Sequence, residues 1–194
     1  MMACRDACDV VIIKDPEFEK LPDNEKVLLC AFPHGVMPVS VDSWAEDEPK
    51  IVLHTVSPVF NHPILRFFYV GCRGGFASVS KQGLRATMKA GMRPLLWPGG
   101  VQESLIAGEA DPIYTKHQGF VRLAVADGAS LVPVFVDDEC AVVGNAVPRF
   151  THLCYRWIGL PLSYPYAKRP RPLVTVRYGK PIEARGDVET VGKA

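Results

Sequence analysis

The sequence of 194 residues lacks any uninterrupted apolar run of the roughly 18 to 20 residues that a membrane-spanning helix requires. Its longest apolar stretches, 27–41 and 123–136, are broken by proline, histidine, aspartate and glycine. The first ten residues contain Arg5, Asp6 and Asp9 and no apolar signal core. We therefore expect neither a spanning helix nor an export signal in this chain.

Paired cysteines are also missing. The six cysteines include no Cys-x-x-Cys pair, and with the five histidines they show no zinc-binding spacing. Because no export signal is predicted, reduced thiols are expected rather than disulfides. We expect no metal site.

The chain has little net charge, +1, but the charges are unevenly distributed. Residues 1–50 carry five basic and eleven acidic side chains, whereas residues 51–194 carry seventeen and ten. The basic excess could face phosphates or the anionic headgroups of a membrane surface, or it could be an ordinary solvated surface. No helix-turn-helix, zinc or aromatic-basic motif accompanies it, so nucleic acid is not an expected partner.

Short apolar runs alternate with helical patterns along the chain. Strands are predicted at 27–32, 51–56, 93–97, 131–136 and 173–178. Helices are predicted from an N-cap at Ser80 to a stop at Gly91, and over 117–127 before Gly128. This alternation predicts an α/β fold with a mixed, largely parallel sheet flanked by helices. We expect one domain over 27–194, preceded by an acidic extension over 1–26.

Three loops follow predicted strands, where ligands bind in such sheets. In the first, Phe32-Pro33-His34-Gly35, the histidine could act as a general base, although Pro-His-Gly alone equally fits a structural turn.

The second loop contains Pro98-Gly99-Gly100, whose backbone N–H groups could hold an oxyanion, followed by Glu103, which could orient a histidine. A plain glycine turn with a solvated glutamate is the alternative. In the third loop, over 116–124, Lys116 and Arg122 could bind a phosphate. Its apolar residues are explained by the packing of one helix face, without any function.

Several common catalytic motifs are missing. The sequence contains no Gly-x-Ser-x-Gly nucleophile elbow, no Walker loop and no dinucleotide-binding glycine fingerprint. The His-x4-Asp dyad of the broad glycerolipid acyltransferases is also missing, because Val39 lies five residues after His34 and no other histidine has an aspartate there.

Taken in order, the loops resemble the type-2 diacylglycerol acyltransferase family, which includes monoacylglycerol and wax-alcohol acyltransferases. The family pattern is His-Pro-His-Gly, Pro-Gly-Gly with a following glutamate, Arg-Lys-Gly-Phe, Gly-Ala-x-Leu-Val-Pro-Val-Phe and Gly-x-Pro-Ile. The corresponding segments here are 32–35, 98–103, 117–120, 128–135 and 179–182. The match at 128–135 is specific, and the shared order spans about residues 27–183.

The resemblance implies a glycerolipid-acyltransferase-like fold and an acyl-CoA-dependent O-acyltransferase that transfers a fatty acyl group to a neutral lipid hydroxyl. Diacylglycerol, giving triacylglycerol, is the typical acceptor. His34 would be the general base and Glu103 would orient it and stabilise its charged form. Substrate-binding roles are expected for a wider set: Phe32, Pro33, Gly35, Pro98, Gly99, Gly100, Lys116 and Arg122.

Acyl-CoA would be a co-substrate, with no cofactor or metal. The family also implies the endoplasmic reticulum membrane or a lipid droplet as location, reached here by peripheral contact, for which 63–69 is an apolar and aromatic candidate.

The chain departs from the family pattern at two motifs. Phe32 replaces the first histidine, and His117 and Gln118 replace the Arg-Lys pair. The family's N-terminal membrane hairpin is missing, so the chain is either a peripheral variant or incomplete. A lysophospholipid acyltransferase, a thioesterase and a non-catalytic lipid-binding remnant remain alternative functions.

Overall fold

A computed structural model describes residues 8–45, 48–56, 60–61, 75–108, 113–114 and 116–184. The strands in these ranges are β1 (Asp9–Lys14), β2 (Val27–Phe32), β3 (Ile51–Thr55), β4 (Phe76–Ser78), β5 (Arg93–Leu96), β6 (Ser130–Asp137), β7 (Val143–Asn145), β8 (Pro165–Ala167) and β9 (Leu173–Tyr178). The helices are α1 (Pro16–Glu19), α2 (Val41–Trp44), α3 (Lys81–Lys89), α4 (Gly100–Ile106), α5 (Gly119–Asp127), α6 (Glu139–Val142) and α7 (Pro148–Ile158).

Within the described ranges, seven strands form one sheet in the order β1-β9-β6-β2-β5-β3-β4. All neighbouring pairs are parallel except β6 and β9, which run antiparallel. The strands β7 and β8, which precede and follow α7 in the chain, form a separate two-stranded antiparallel sheet. The predicted mixed, largely parallel α/β architecture is therefore confirmed.

The central strand β2 is buried on both faces, as its continuous apolar sequence predicts. Val27, Leu29 and Ala31 belong to the hydrophobic cluster on one side of the sheet, which also contains Trp44. Leu28 and Cys30 point to the opposite side and pack in a second cluster with residues of α3 and α5. This alternation makes β2 the rigid centre from which the loop at 33–35 emerges.

Both predicted helices form, although α5 begins at Gly119, two residues after its predicted start, and α3 ends at Lys89, just before Gly91. The Ser80 side chain accepts a hydrogen bond from the Gly83 N–H at 3.1 Å and caps α3. Helix α5 ends at Gly128, in the left-handed conformation common at such ends. No helix in the described part of the chain is long and apolar enough to cross a membrane.

The first strand lies in a stretch that the sequence assigns to the extension over 1–26. Residues 9–14 form β1, an edge strand that pairs in parallel with β9 along its whole length. Phe18 of α1 packs against Tyr178 of β9 with ring centroids 4.8 Å apart. This part of the extension is thus built into the main sheet. The sequence alone does not reveal the pairing, because the partner strand lies more than 150 residues later.

Candidate active site

Three strand ends meet at one edge of the sheet. β2 lies between β5 and β6 and is parallel to both, so their carboxyl ends lie side by side. His34 follows β2, the glycine turn at 98–100 follows β5, and Glu139 follows β6. The topology therefore gathers residues more than 100 positions apart around one loop.

A cavity of about 680 Å³ opens beside this edge, and its wall is predominantly apolar. His34, Pro98, Gly99 and Gly100 belong to the wall. The volume lies within the usual range of small-molecule sites. All three predicted loops thus contribute to a single pocket, since His117 of the third loop also belongs to the wall.

The structure places Glu103 against His34, through the main chain. Glu103 is fully buried, and its Oε2 accepts a hydrogen bond from the backbone N–H of His34 at 2.7 Å. Its Oε1 accepts one from the backbone N–H of Tyr114 at 2.8 Å. Burial raises the pKa of this carboxyl above its ordinary value, and the two N–H donors offset part of the rise. The carboxyl group fixes the loop that carries the histidine.

Gly99 allows Glu103 to fold back in this way. A Cβ atom on Gly99 would lie 2.0 Å from both Cδ and Oε1 of Glu103, which no side chain can occupy. Glycine at this turn is thus a packing requirement of the buried carboxyl group. Gly100 begins α4 at a φ of +49°.

The imidazole of His34 is held by its own loop. Its Nδ1 lies 3.1 Å from the carbonyl oxygen of Gly35, which can only accept a hydrogen bond, so Nδ1 carries the hydrogen. In the neutral ring, Nε2 then has the free electron pair, and no described residue hydrogen-bonds to it. The Trp97 ring packs edge-on with centroids 5.9 Å apart. Burial lowers the pKa of His34 below its ordinary value, and the Gly35 carbonyl partly offsets this.

The N–H groups of two glycines in these loops have no acceptor among the described residues. Gly100 N–H donates to the Trp97 carbonyl at 3.1 Å. Gly35 and Gly99 N–H groups have no acceptor in the described ranges. Gly35 and Gly99, both expected to bind substrate, thus have an N–H donor available for an oxyanion.

The other predicted binding residues lie outside the cavity wall. Phe32 packs against the second hydrophobic cluster, and Pro33 is buried beneath the loop. Arg122 is exposed on α5, whose Gly119, Phe120 and Leu123 do line the cavity. Lys116 is exposed, with its Nζ 6.0 Å from the centre of the Tyr114 ring. The candidate membrane contact at 63–69 lies outside the described residues.

A second buried carboxyl group supports the histidine loop and was missed from the sequence. Glu139 is almost fully buried and accepts hydrogen bonds from the N–H and the hydroxyl of Ser40. Its Cγ would lie 3.1 Å from a Cβ on Gly35, so it packs directly beneath that residue, whose φ is +63°. The signal was available: an acidic residue at the carboxyl end of the strand next to β2.

The sequence model of the family described as diacylglycerol acyltransferase matches residues 2–148, more than half of the chain. The chain belongs to the diacylglycerol acyltransferase family. The family match includes the histidine loop, the glycine turn and Glu103.

The similar proteins include lipid acyltransferases. Diacylglycerol O-acyltransferase 2A of Umbelopsis ramanniana is 37% identical over 161 residues, covering 75% of this chain and 44% of that protein. Diacylglycerol O-acyltransferase 2B of the same organism is 31% identical over 140 residues, 65% of this chain and 39% of that protein. Human 2-acylglycerol O-acyltransferase 3 is 30% identical over 146 residues, covering 68% of this chain and 41% of that protein. The chain thus matches about two-fifths of the length of these curated relatives.

A solved structure shares the fold. The 1-acyl-sn-glycerophosphate acyltransferase of Thermotoga maritima matches with a TM-score of 0.56 over 96% of this chain and 68% of that one. The sequence identity is 12%, so this likeness concerns the fold alone. It agrees with the glycerolipid-acyltransferase-like architecture expected from the sequence.

Proposed function

We propose that this member of the family is an acyl-CoA-dependent O-acyltransferase that transfers a fatty acyl group to the hydroxyl of a neutral lipid, with His34 as general base. The observation that carries the proposal is an imidazole in the wall of an apolar cavity, whose Nδ1 faces the Gly35 carbonyl and whose Nε2 has no hydrogen-bond partner among the described residues. An apolar wall suits a fatty chain, and a free Nε2 suits proton abstraction from an alcohol.

The proposed reaction is a direct transfer. The acceptor hydroxyl gives its proton to His34 Nε2 while its oxygen forms a bond to the thioester carbonyl carbon. The resulting oxyanion accepts hydrogen bonds from the N–H groups of Gly35 and Gly99. The carbon–sulfur bond then breaks, the carbonyl re-forms, and the CoA sulfur takes the proton from His34, which returns the base to its neutral form.

Glu103 has a positioning role in this proposal. Its carboxyl group contacts the His34 backbone rather than the ring, so it sets where the imidazole lies in the cavity. Glu139 supports the same loop from below, at Gly35. Two buried carboxyl groups thus hold one short loop against the sheet, and the histidine is placed without an acid at its ring.

Diacylglycerol is the acceptor we propose, giving triacylglycerol, and similar proteins are named for diacylglycerol, 2-acylglycerol and wax alcohol. Lys116 and Arg122 would contact the phosphates of CoA at the surface, since both lie outside the cavity wall. We propose that the protein works at the endoplasmic reticulum membrane or a lipid droplet surface, where such acceptors dissolve.

The test is acyl transfer from radiolabelled acyl-CoA to a panel of acceptors: diacylglycerol, monoacylglycerol, a long-chain alcohol, a lysophospholipid and water. A positioned base contributes about 10²- to 10⁴-fold in rate, so His34→Ala should lose that much. His152→Gln is the matched control, because His152 is exposed on α7 and absent from the cavity wall, and a glutamine amide can keep the hydrogen bond to the Leu105 carbonyl. Undiminished transfer by His34→Ala would refute the mechanism, and labelled free fatty acid as the only product would indicate a thioesterase.

A further inference from the structure

Helix α7 presents an apolar stripe to solvent. Phe150, Leu153 and Trp157 lie at positions i, i+3 and i+7, so they share one face, and they are 54%, 51% and 81% exposed. On the opposite face Thr151 is buried and Tyr155 is half-buried. A helix normally turns its apolar stripe toward the core, so α7 has the reverse orientation.

Polar contacts hold the helix in this orientation. The Tyr155 hydroxyl accepts a hydrogen bond from the Gln102 side chain at 3.2 Å. His152 lies 3.0 Å from the Leu105 carbonyl, and the Thr151 hydroxyl donates to the Leu162 carbonyl at 2.8 Å. Both Gln102 and Leu105 belong to α4, which also carries Glu103. The outward direction of the stripe is therefore fixed by the same helix that builds the candidate active site.

The exposed surface continues beyond the stripe into the next segment of the chain. Ile158, Leu162, Tyr164 and Tyr166 are all exposed. Large apolar patches on a surface mark contact sites, and tryptophan and tyrosine favour the boundary between hydrocarbon and water. The amino-acid composition of this surface is therefore that of a surface in contact with lipid.

The chain segment that contains the stripe carries charges of one sign. Residues 140–182 contain seven lysines and arginines and no aspartate or glutamate. Arg171 pairs with Asp9 and Lys180 with Glu17, away from the stripe. Arg149 and Arg156, seven positions apart, share the side of α7 next to the stripe and are exposed. Basic residues beside an apolar helix face attract anionic lipid headgroups.

The stripe adjoins the rim of the cavity. Gly159, Leu160 and Leu162, directly after α7, line the cavity, and Gly159 and Leu162 are themselves exposed. A surface resting on the stripe would therefore reach the cavity entrance. We propose that the exposed face of α7 docks the protein on a lipid bilayer containing anionic lipids, so that an acceptor dissolved in the bilayer enters the cavity at 159–162; the nature of that acceptor rests on the proposed function.

A bilayer fits this face better than a second copy of the chain. In a two-fold contact the same patch meets itself, and the arginines of each copy would face those of the other. No acidic residue in 140–182 is available to pair with them. An anionic bilayer satisfies both the apolar stripe and its basic border.

The test is co-flotation with phosphatidylcholine vesicles, with and without phosphatidylserine. The variant Phe150→Ser/Leu153→Ser/Trp157→Ser should lower vesicle binding by about tenfold or more for each side chain that enters the hydrocarbon. Leu173→Ser is the matched control, because Leu173 is 57% exposed on β9 of the main sheet, whereas α7 lies between the two strands of the separate sheet. This variant should bind as the wild type does. Arg149→Gln/Arg156→Gln should lose mainly the gain that phosphatidylserine provides.

Activity assays separate this proposal from the proposed function. The stripe variant should keep transfer to a short-chain, water-soluble diacylglycerol and lose transfer to diacylglycerol embedded in vesicles. An inactive wild type that still floats through its stripe would refute the function and support docking. Wild type that does not float, or a stripe variant that floats like the control, overturns docking. So does a stripe variant that only converts a dimer to a monomer, since the occupant would then be a second copy.

Discussion

The position of Glu103 yields a quantitative prediction for Glu103→Gln. The carboxyl group accepts one N–H bond on each oxygen, from His34 at 2.7 Å and from Tyr114 at 2.8 Å. Glutamine has nearly the same shape but keeps only one acceptor oxygen, and its amide nitrogen would face the second N–H. One hydrogen bond to a charged acceptor is lost, which is about 1.5–3 kcal/mol. Because about 1.4 kcal/mol corresponds to a factor of ten in rate, we expect kcat/KM to fall roughly 10- to 100-fold if the His34 loop bears the loss.

Steady-state kinetics of the purified protein with diacylglycerol and acyl-CoA provide the assay. A positioning residue should lower kcat while leaving KM for acyl-CoA and the acidic limb of the pH profile unchanged, because the imidazole itself is intact. His34→Ala sets the floor of the same assay. If Glu103→Gln lowers kcat/KM as far as His34→Ala does and also shifts the acidic limb, Glu103 takes part in proton transfer and the positioning argument is wrong. Unchanged kinetics would mean that the loop needs no such anchor.

Two further predictions use the same site. Since burial lowers the pKa of His34, its base form persists below pH 6.5, so the acidic limb of kcat/KM should lie under that value. Burial also lowers the pKa of His54, so this side chain should add to the loss of stability as the pH falls below 6.5. Gly99→Ala should displace Glu103, cost about 1–3 kcal/mol of unfolding free energy and lower kcat/KM at least about tenfold. Gly108→Ala should change stability by less than about 0.5 kcal/mol, because no heavy atom of the described residues would lie closer than 3.9 Å to the added Cβ. Equal effects of the two variants in denaturation and kinetics would contradict the steric argument.

The sequence predicts the central strands well for a physical reason. β2 and β6 are nearly continuous apolar runs because both faces of the sheet are covered, and such runs need no tertiary knowledge to be identified. β1 could not be found in this way. Its pairing with β9 joins the two ends of the chain, and neither segment alone specifies that partner.

Helix α7 was not predicted, although Phe150, Leu153 and Trp157 recur at helical spacing. Hydrophobic periodicity would also have given the wrong orientation, because the apolar face points outward while Thr151 and Tyr155 point inward. The strands β7 and β8 are only three residues long each, and their sequences show no strong alternation of apolar and polar residues. The sequence is least informative about the orientation of an element whose apolar residues do not pack in the core.

The juxtaposition of His34 and Glu103 could be expected from the topology, but the atoms in contact could not. Strand order brings the loops after β2 and β5 together, whereas the turn at Gly99 decides how far the carboxyl group folds back. Because of this turn geometry, the Glu103 carboxyl group contacts the backbone N–H of His34 and not its ring. Sequence patterns specify which loops meet, and the detailed turn geometry specifies the roles.

This difference has a chemical consequence. A carboxylate at the ring nitrogen would stabilise imidazolium and raise the pKa of the histidine. With the carboxyl group on the main chain, the ring experiences chiefly burial, and its pKa falls. His34 is then neutral near physiological pH without needing to lose a proton first, and the Gly35 carbonyl fixes the tautomer that leaves Nε2 available. An alcohol nucleophile needs a base in that state before it attacks a thioester, so anchoring the backbone rather than the ring favours the proposed transfer.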